Sequence, residues 1–511
     1  MQVHGFVGLI VVLVGLLSPV GAVAQPRSPA APCDRLASAA LPNTTVASAQ
    51  VVPAGQFTPP GAGAKPFADL PAFCRVVGST RMLNSDVKFE VWLPERWTGD
   101  VMPAGSNFWG GPIVFARMRE VLLTGAVTVG TNLGIEGFAG PAFAKTQPEK
   151  FENLKMEPLH AVIERARTLA TSYYASAPAF TMMNECGGGG SRDVLAMVQR
   201  FPDDLDAAVS VNFTNYGTRH GVSQMWLYDA THRTPESVLP TSKLPMLHQA
   251  VLDKCDMNDG VKDGVIENPP ACKFDPAAIA CKGADGPNCL TAGQVAAVRR
   301  IYETPKHERT GEPIYGRLEP GSELGWADMV GPEPYRYAMA YYRNLVFDDP
   351  TWTYQARRPN FGSDIDRAER LASAANATNP DLRAFVNKGG KLLLVGGWVD
   401  DLAPQNVVTY YENVIKTMGD KARDSVRLFM VPGMHHCFGG VFPGAYQVDF
   451  DPVQAVKAWK ASGRAPDQIV VQTSGQGWPT RKRLVCAYPN VSAYKGSGDV
   501  GDPANFSCRQ P

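Results

Sequence analysis

The chain has 511 residues, of which 44% are hydrophobic and 19% charged, and its 49 Lys and Arg balance 49 Asp and Glu to a formal net charge of zero. That length and apolar content suit a globular protein with an ample core, spread over two or three domains. The even charge balance argues against nucleic acid or an acidic membrane surface as partner.

The opening residues read as a secretory signal. The apolar run from Phe6 to Leu17 has the length of an h-region, and Ala22-Val23-Ala24 fits the small-residue cleavage pattern. Cleavage before Gln25 is expected, so that residues 1–24 are a signal peptide and the mature protein is secreted or periplasmic, with no membrane contact. An uncleaved anchor is the competing reading, for which the run is short. Ten cysteines in an exported chain suggest disulfides. Spacing alone pairs Cys255 with Cys272, Cys281 with Cys289 and Cys486 with Cys508, and lets Cys33 and Cys74 tie down the N-terminal segment. Cys186 and Cys437 stand beside candidate catalytic positions. On their residues alone they are either bridged to each other or two free buried thiols.

Residues 25–72 are rich in Ala, Pro, Ser and Thr with little periodicity and read as an extended, loop-like lead-in. From 73 to 212 the texture is that of the first half of an α/β core. Cys74 to Val77 and Val87 to Leu93 predict strands, Ala126 to Val129 a short buried strand, and Leu159 to Tyr174 an amphipathic helix. Phe180 to Asn184 predicts a strand and Arg192 to Phe201 a helix, so Glu185-Cys186-Gly187-Gly188-Gly189-Gly190 occupies a sharp turn between them. Residues 213–384 break the alternation with four cysteines, many Pro and Gly, and several aromatics; they are expected to form an inserted cap. Over 385–511 the core resumes, with a buried strand at Lys391 to Val395, a helix at Gln405 to Thr417 and a strand at Val426 to Val431. The pattern predicts an α/β-hydrolase fold with a mostly parallel sheet and a large inserted cap domain.

Strand, sharp turn and helix are the setting of a nucleophile elbow, and such folds place Ser, Asp and His in that chain order. A hydroxyl attacks the carbonyl, a His takes its proton, and an Asp orients and stabilises the imidazolium. Here Asp400 follows one strand and His436 the next, but Gly187 stands where the nucleophile belongs. Ser191 is one turn down the following helix, where its hydroxyl should lie beneath the elbow. In the cap, Asp256, Asp259 and Asp263 fall within eight residues beside Gly260 and Gly264. On spacing this is equally a hard-cation loop or a solvated acidic turn.

With these motifs the chain resembles the tannase and feruloyl esterase family, which also contains the hydrolase of mono-hydroxyethyl terephthalate. The resemblance rests on Glu185 to Gly190, on Gly397-Trp398-Val399-Asp400, on Pro432-Gly433-Met434-His435-His436-Cys437-Phe438-Gly439-Gly440, and on the loop Cys255 to Ile266. It runs from about Phe73 to the C-terminus. It implies hydrolysis of phenolic or aromatic carboxylic esters, with Asp400 and His436 facing the elbow and a disulfide joining Cys186 to Cys437. It also implies a structural calcium ion held by Asp256, Asp259, Asp263 and the carbonyls of Val261 and Val265. The family's oxyanion hole takes one N–H from the residue after the nucleophile, here Gly188, and one from a Gly-rich turn after an early strand. That turn is Gly105-Ser106-Asn107-Phe108-Trp109-Gly110-Gly111, with the Asn107 backbone as donor. Two departures accompany Gly187. Glu185 stands where the family has Gly, and Asn107 and Phe108 replace expected glycines, which should narrow the substrate space.

Three readings follow from the missing Ser. The chain is a binding protein for phenolic esters that has lost activity; or a water held by His436 attacks the ester directly; or Gly187 is a lone engineered replacement in an active esterase, against which the changes at Glu185, Asn107 and Phe108 argue. Among other residues, His160 reads as a packing or capping histidine, His435 as a loop-orienting one, and Trp226, Trp326 and Trp352 as cap core with a pocket role as the alternative. Asn43, Asn212, Asn376, Asn490 and Asn505 head glycosylation sequons.

Overall fold

The computed structural model describes residues 26–82, 85–137, 140–402, 404–439, 447–475 and 478–511, so the expected signal peptide lies outside the described residues. Nine strands form the main sheet: β1 (Thr44–Val52), β2 (Phe73–Met82), β3 (Ser85–Pro94), β4 (Asp100–Pro103), β5 (Val127–Thr131), β6 (Phe180–Cys186), β7 (Ala207–Val211), β8 (Lys391–Gly397) and β9 (Val426–Val431). Their order is β1-β2-β3-β5-β4-β6-β7-β8-β9. The β1, β2, β3 and β5 neighbours pair antiparallel. From β5 onward every pairing is parallel. Parallel strands covered by helices on both faces need apolar side chains on both. Accordingly all five residues of β7 are buried, as are Leu392, Leu393, Leu394 and Val395 of β8.

The predicted core elements form close to their expected bounds. The helix Glu157–Tyr174 starts with Glu157 and Pro158 in its first turn, where a negative charge and a missing N–H are tolerated. Leu159, Val162, Ile163, Ala166, Leu169, Ala170 and Tyr173 repeat at helical spacing and are all buried. The Tyr174 hydroxyl donates to the Pro94 carbonyl at 2.6 Å, tying the helix end to β3.

The lead-in departs from its expected loop character. Thr44–Val52 is an edge strand antiparallel to β2, and of its side chains only Ala49 is buried. An edge strand with so little core contact leaves no apolar period in the sequence. Beyond it Phe57 is buried with its ring 4.5 Å from that of Trp92.

Residues 212–390 run between β7 and β8, and the segment 213–384 expected as the cap lies within them. The cap aromatics pack its core. Trp226, Trp326 and Trp352 are buried, and their indole N–H groups donate to Arg300 O, Ser322 Oγ and Arg357 O. After β9 a small antiparallel sheet follows, of β10 (Gln447–Asp449), β11 (Gln468–Gly475) and β12 (Trp478–Cys486). All ten cysteines are bridged: Cys33–Cys74, Cys186–Cys437, Cys255–Cys272, Cys281–Cys289 and Cys486–Cys508. Among the described residues no helix is long and apolar enough to cross a membrane.

Candidate active site

β6 ends at Cys186 and the helix Gly190–Arg200 begins four residues later, so the chain must reverse at Gly187. It does so at φ +85°, the left-handed region of a nucleophile elbow. The Gly187 N–H donates to Val211 O at 3.1 Å, and its carbonyl accepts from Ser191 N at 3.2 Å, which locks the turn between β7 and the helix. A Cβ placed on Gly187 would stand 3.0 Å from His436 Nε2 and 3.3 Å from Cys437 Sγ. The position that lacks a nucleophile therefore points at the imidazole.

His436 Nδ1 lies 3.1 Å and 3.4 Å from the two oxygens of Asp400, which is 2% exposed. Asp400 also accepts from Leu402 N at 3.0 Å and from the Asn212 side chain. Burial alone would lower the His436 pKa, but the Asp400 charge and hydrogen bond outweigh it and hold it up to about 9. Burial would likewise raise Asp400, yet the His436 charge and hydrogen bond keep its carboxyl well below the usual range. Burial and the Asp400 charge push neighbouring Asp401 up to about 8. His435 is buried and pushed down to about 4, again by burial first, so it is neutral beside the charged pair. The Cys186–Cys437 bridge joins the elbow to the His436 loop, with Cα atoms 5.4 Å apart and Cys437 itself at φ +54°.

Ser191 lies beneath the elbow as expected: fully buried, its hydroxyl donates to the Gly187 carbonyl. His160 pairs with Asp204 at 2.6 Å and stacks on Phe201, a packing role.

The turn 105–111 abuts the elbow. A Cβ on Gly189 would stand 2.6 Å from Phe108 N, and one on Gly188 3.4 Å from the Phe108 ring. Thus the ring lies directly over Gly188, in the space the glycine-rich version would leave open. Two buried carboxylates clamp this turn. Glu185 accepts from Gly105 N at 2.8 Å, and Asp193 accepts from Ser106 N at 2.8 Å and Ser106 Oγ at 2.6 Å. Each carboxylate has its own cation. Arg117 Nε donates to Glu185 at 3.0 Å, and Arg192 donates to Asp193 at 2.5 Å. Glu185 fits because Gly190 has no side chain: a Cβ there would fall 2.5 Å from Glu185 Oε2.

Asn212, Thr214, His220 and Tyr315 also meet at the elbow. Asn212 looked like a glycosylation sequon, but it is fully buried and spends its amide on Asp400, so it orients the acid. Above Gly188 lie Thr214, His220 and Tyr315. Thr214 Oγ1 is 3.4 Å from the Gly188 Cβ position, and the His220 ring is 5.7 Å from Phe108 and 6.3 Å from Tyr315. The Thr214 and Tyr315 hydroxyls meet each other, and His220 Nδ1 and Gln224 Oε1 are buried without a hydrogen-bond partner. Each such atom costs about 1–3 kcal/mol in an empty site.

The cap loop carries the donor set expected for calcium. Gly260 at φ +92° and Gly264 at φ +79° fold it back on itself, and Cys255–Cys272 closes it. Hydrogen bonds to Asp256 come from Asp263 N and Gly264 N, and Asp259 accepts from Val261 N at 2.9 Å. Arg483 and Arg481 pair with Asp263, and Arg483 also with Glu267. Burial pushes Glu267 up to about 8, and the side-chain oxygens of Asp256, Asp259 and Asp263 are not gathered within 4.8 Å of one another. Asp263 is the least free of the set, since Arg483 shares it. Among the described residues, the side-chain clusters within 4.8 Å that could hold a metal are Cys281–Asp285–Cys289, whose sulfurs are bridged, and Asp400–Asp401–His436.

A family model described as tannase and feruloyl esterase matches residues 74–509. An esterase of Xanthomonas campestris is 33% identical over 97% of this chain and 94% of its own length. A probable feruloyl esterase B-2 of Aspergillus terreus is 30% identical over 92% of this chain and 93% of its own. Among solved structures, feruloyl esterase B from Aspergillus oryzae superposes with a TM-score of 0.81 at 26% identity, covering 93% of this chain and 98% of that one. Tannin acyl hydrolase from Aspergillus niger shares the fold, with a TM-score of 0.77 at 18% identity over 96% of this chain and 97% of that one.

Proposed function

The chain belongs to the tannase and feruloyl esterase family, and from that premise we propose that it is an exported hydrolase of aromatic carboxylic esters that works without a covalent intermediate. The observation that carries this reading is the 3.0 Å between the Gly187 Cβ position and His436 Nε2, on an imidazole held by Asp400. The space a serine side chain would fill is the place for a water. His436 Nε2 takes a proton from that water as it attacks the ester carbonyl. Asp400 and Asn212 hold the ring and the charge it gains. The Gly188 N–H and the backbone of the turn at Asn107 face the developing oxyanion. General-base assistance contributes typically 10²–10⁴-fold. Loss of the triad serine in a well-studied protease costs on the order of a millionfold. The expected enzyme is therefore slow.

One observation favours a second reading, a binding protein for the same esters. A His436 held up to about 9 is an imidazolium at neutral pH and accepts no proton there. Hydrolysis of a chromogenic aryl ester across pH decides. The first reading expects a rate that climbs toward pH 9 and vanishes in His436→Ala; a rate that His436→Ala leaves unchanged refutes it.

Asp256, Asp259, Asp263 and the carbonyls of Val261 and Val265 are assigned to a structural calcium ion, which would neutralise the loop's surplus charge and stiffen the cap. The five disulfides support an exported location, where thiols oxidise and stay oxidised.

A further inference from the structure

We propose that Glu185 and Asp193 are positioning residues for the oxyanion site: each holds one backbone amide of the turn at 105–107, so that the Asn107 N–H is presented to the developing charge. This inference rests on the water-attack reading above and names what fixes its oxyanion donor.

The turn needs such partners because its sheet has run out. β4 ends at Pro103, and its pairing stops at Val101 against β6 and at Pro103 against β5. Ala104 N still donates to Val129 O at 2.8 Å, but the buried amides of Gly105 and Ser106 have no strand to meet. A buried N–H left without an acceptor is costly. Two carboxylates supply the acceptors, and they do so in the same way. Glu185, on β6, takes Gly105 N on Oε1 at 2.8 Å and Arg117 Nε on Oε2 at 3.0 Å. Asp193, on the helix Gly190–Arg200, takes Ser106 N on Oδ2 at 2.8 Å and Arg192 on Oδ1 at 2.5 Å. Each bridges one amide of the turn to one guanidinium, and both are buried. The Ser106 hydroxyl adds a second bond to the same Asp193 oxygen at 2.6 Å.

Packing leaves the turn little freedom. A Cβ on Gly105 would stand 2.6 Å from Gly190 Cα and 3.0 Å from Glu185 Cδ, so turn, carboxylate and helix start are in contact. The Arg192 guanidinium lies 5.6 Å from the centre of the Phe108 ring, which ties the next part of the turn to the same cation. The amides of Ala104, Gly105 and Ser106 are thus all engaged. Asn107 N, the next in the row, donates to no group among the described residues. A donor fixed before the charge develops is what stabilises an oxyanion, since nothing must reorganise during reaction.

The test pairs p-nitrophenyl benzoate with p-nitrophenyl phenylphosphonate, a stable anion shaped like the tetrahedral species that water attack forms. Ester turnover and calorimetric binding of the phosphonate are measured on the intact protein. Losing an oxyanion donor outright costs about 10²–10³-fold in kcat, so Glu185→Ala, which loosens one, should lower kcat and phosphonate affinity about 30-fold each, with KM changed less than about twofold. Glu185→Gln keeps an acceptor for Gly105 N and should stay within about threefold of wild type in kcat, KM and phosphonate affinity. Ser106→Ala deletes one bond to Asp193 and leaves both buried ion pairs in place; it should lower kcat and phosphonate affinity about fivefold at unchanged KM, and it decides if Glu185→Ala does not fold. Equal losses in ester and phosphonate affinity, or folded variants with wild-type kcat and phosphonate binding, overturn the assignment and leave the water-attack reading standing. A wild type that binds the phosphonate but turns over no ester ends the water-attack reading, and phosphonate affinity in the same variants then upholds or overturns the assignment alone.

Discussion

The acid–base side of the catalytic centre and its nucleophile side are built to different plans. On the first, the loops after β8 and β9 deliver Asp400 and His436 in contact, with Asn212 behind the acid and a disulfide beside the base. On the second, Gly187 carries no side chain, the Phe108 ring lies against Gly188, and buried Glu185 pairs with the partly buried Arg117. The imidazole is oriented by groups none of which is a nucleophile. The paired Asp400 and His436 are thus assembled beside an elbow that carries no side chain.

Restoring the nucleophile should break the contrast most strongly. Gly187→Ser is expected to raise turnover of methyl ferulate or methyl gallate by on the order of 10⁴–10⁶, read as kcat against wild type. The new Cβ requires the imidazole to yield by a few tenths of an ångström, and a left-handed non-glycine residue costs about 1–3 kcal/mol. The variant should therefore unfold earlier in urea while working faster.

The pH dependence sharpens the comparison on the acid–base side. Wild-type hydrolysis should rise about tenfold per unit from pH 6 until it levels near 9, as His436 loses its proton. Stability moves the opposite way. His436 is raised from 6.5 to about 9 in the fold, so the charged pair contributes fully below pH 6.5, and its contribution is lost as pH climbs through 9. Urea midpoints at pH 6 and 9.5 should differ accordingly, and His436→Ala should reduce the difference.

On the nucleophile side, Glu185→Gln should cost about 1–3 kcal/mol in urea unfolding, since it weakens the bonds from Gly105 N and Arg117 Nε while Arg117 keeps Glu120 and the Asn184 carbonyl. Adding Arg117→Gln should recover part of that loss, and a strictly additive double variant would show that the clamp is not a coupled pair. The smallest effect expected is that of calcium, which at about a hundred times its dissociation constant should add about 2.7 kcal/mol. Asp259→Asn should abolish the gain; a melting temperature indifferent to calcium and to chelator would remove the ion from the account.

The dyad was legible because chain order and strand ends constrain where acid and base can lie. The local disulfides were legible from spacing. Other features were closed to a linear reading. Glu185 makes sense only through Gly105 and Arg117, at sequence distances of 80 and 68 residues. Asn212 carries a sequon whose physical role is set by Asp400, 188 residues away. Thr44–Val52 lacks an apolar period because an edge strand touches little core. The hydroxyl cluster joins Thr214 to Tyr315 across the cap, and nothing in either neighbourhood announces it.

The most direct test is labelling with a fluorophosphonate probe, followed by peptide mass mapping. Wild type should take up no label, and Gly187→Ser should be labelled at position 187 near one probe per chain, with the label lost on adding His436→Ala. Stoichiometric labelling of wild type, or a folded Gly187→Ser protein with all disulfides intact that stays unlabelled, would contradict an assembled dyad aimed at an empty elbow.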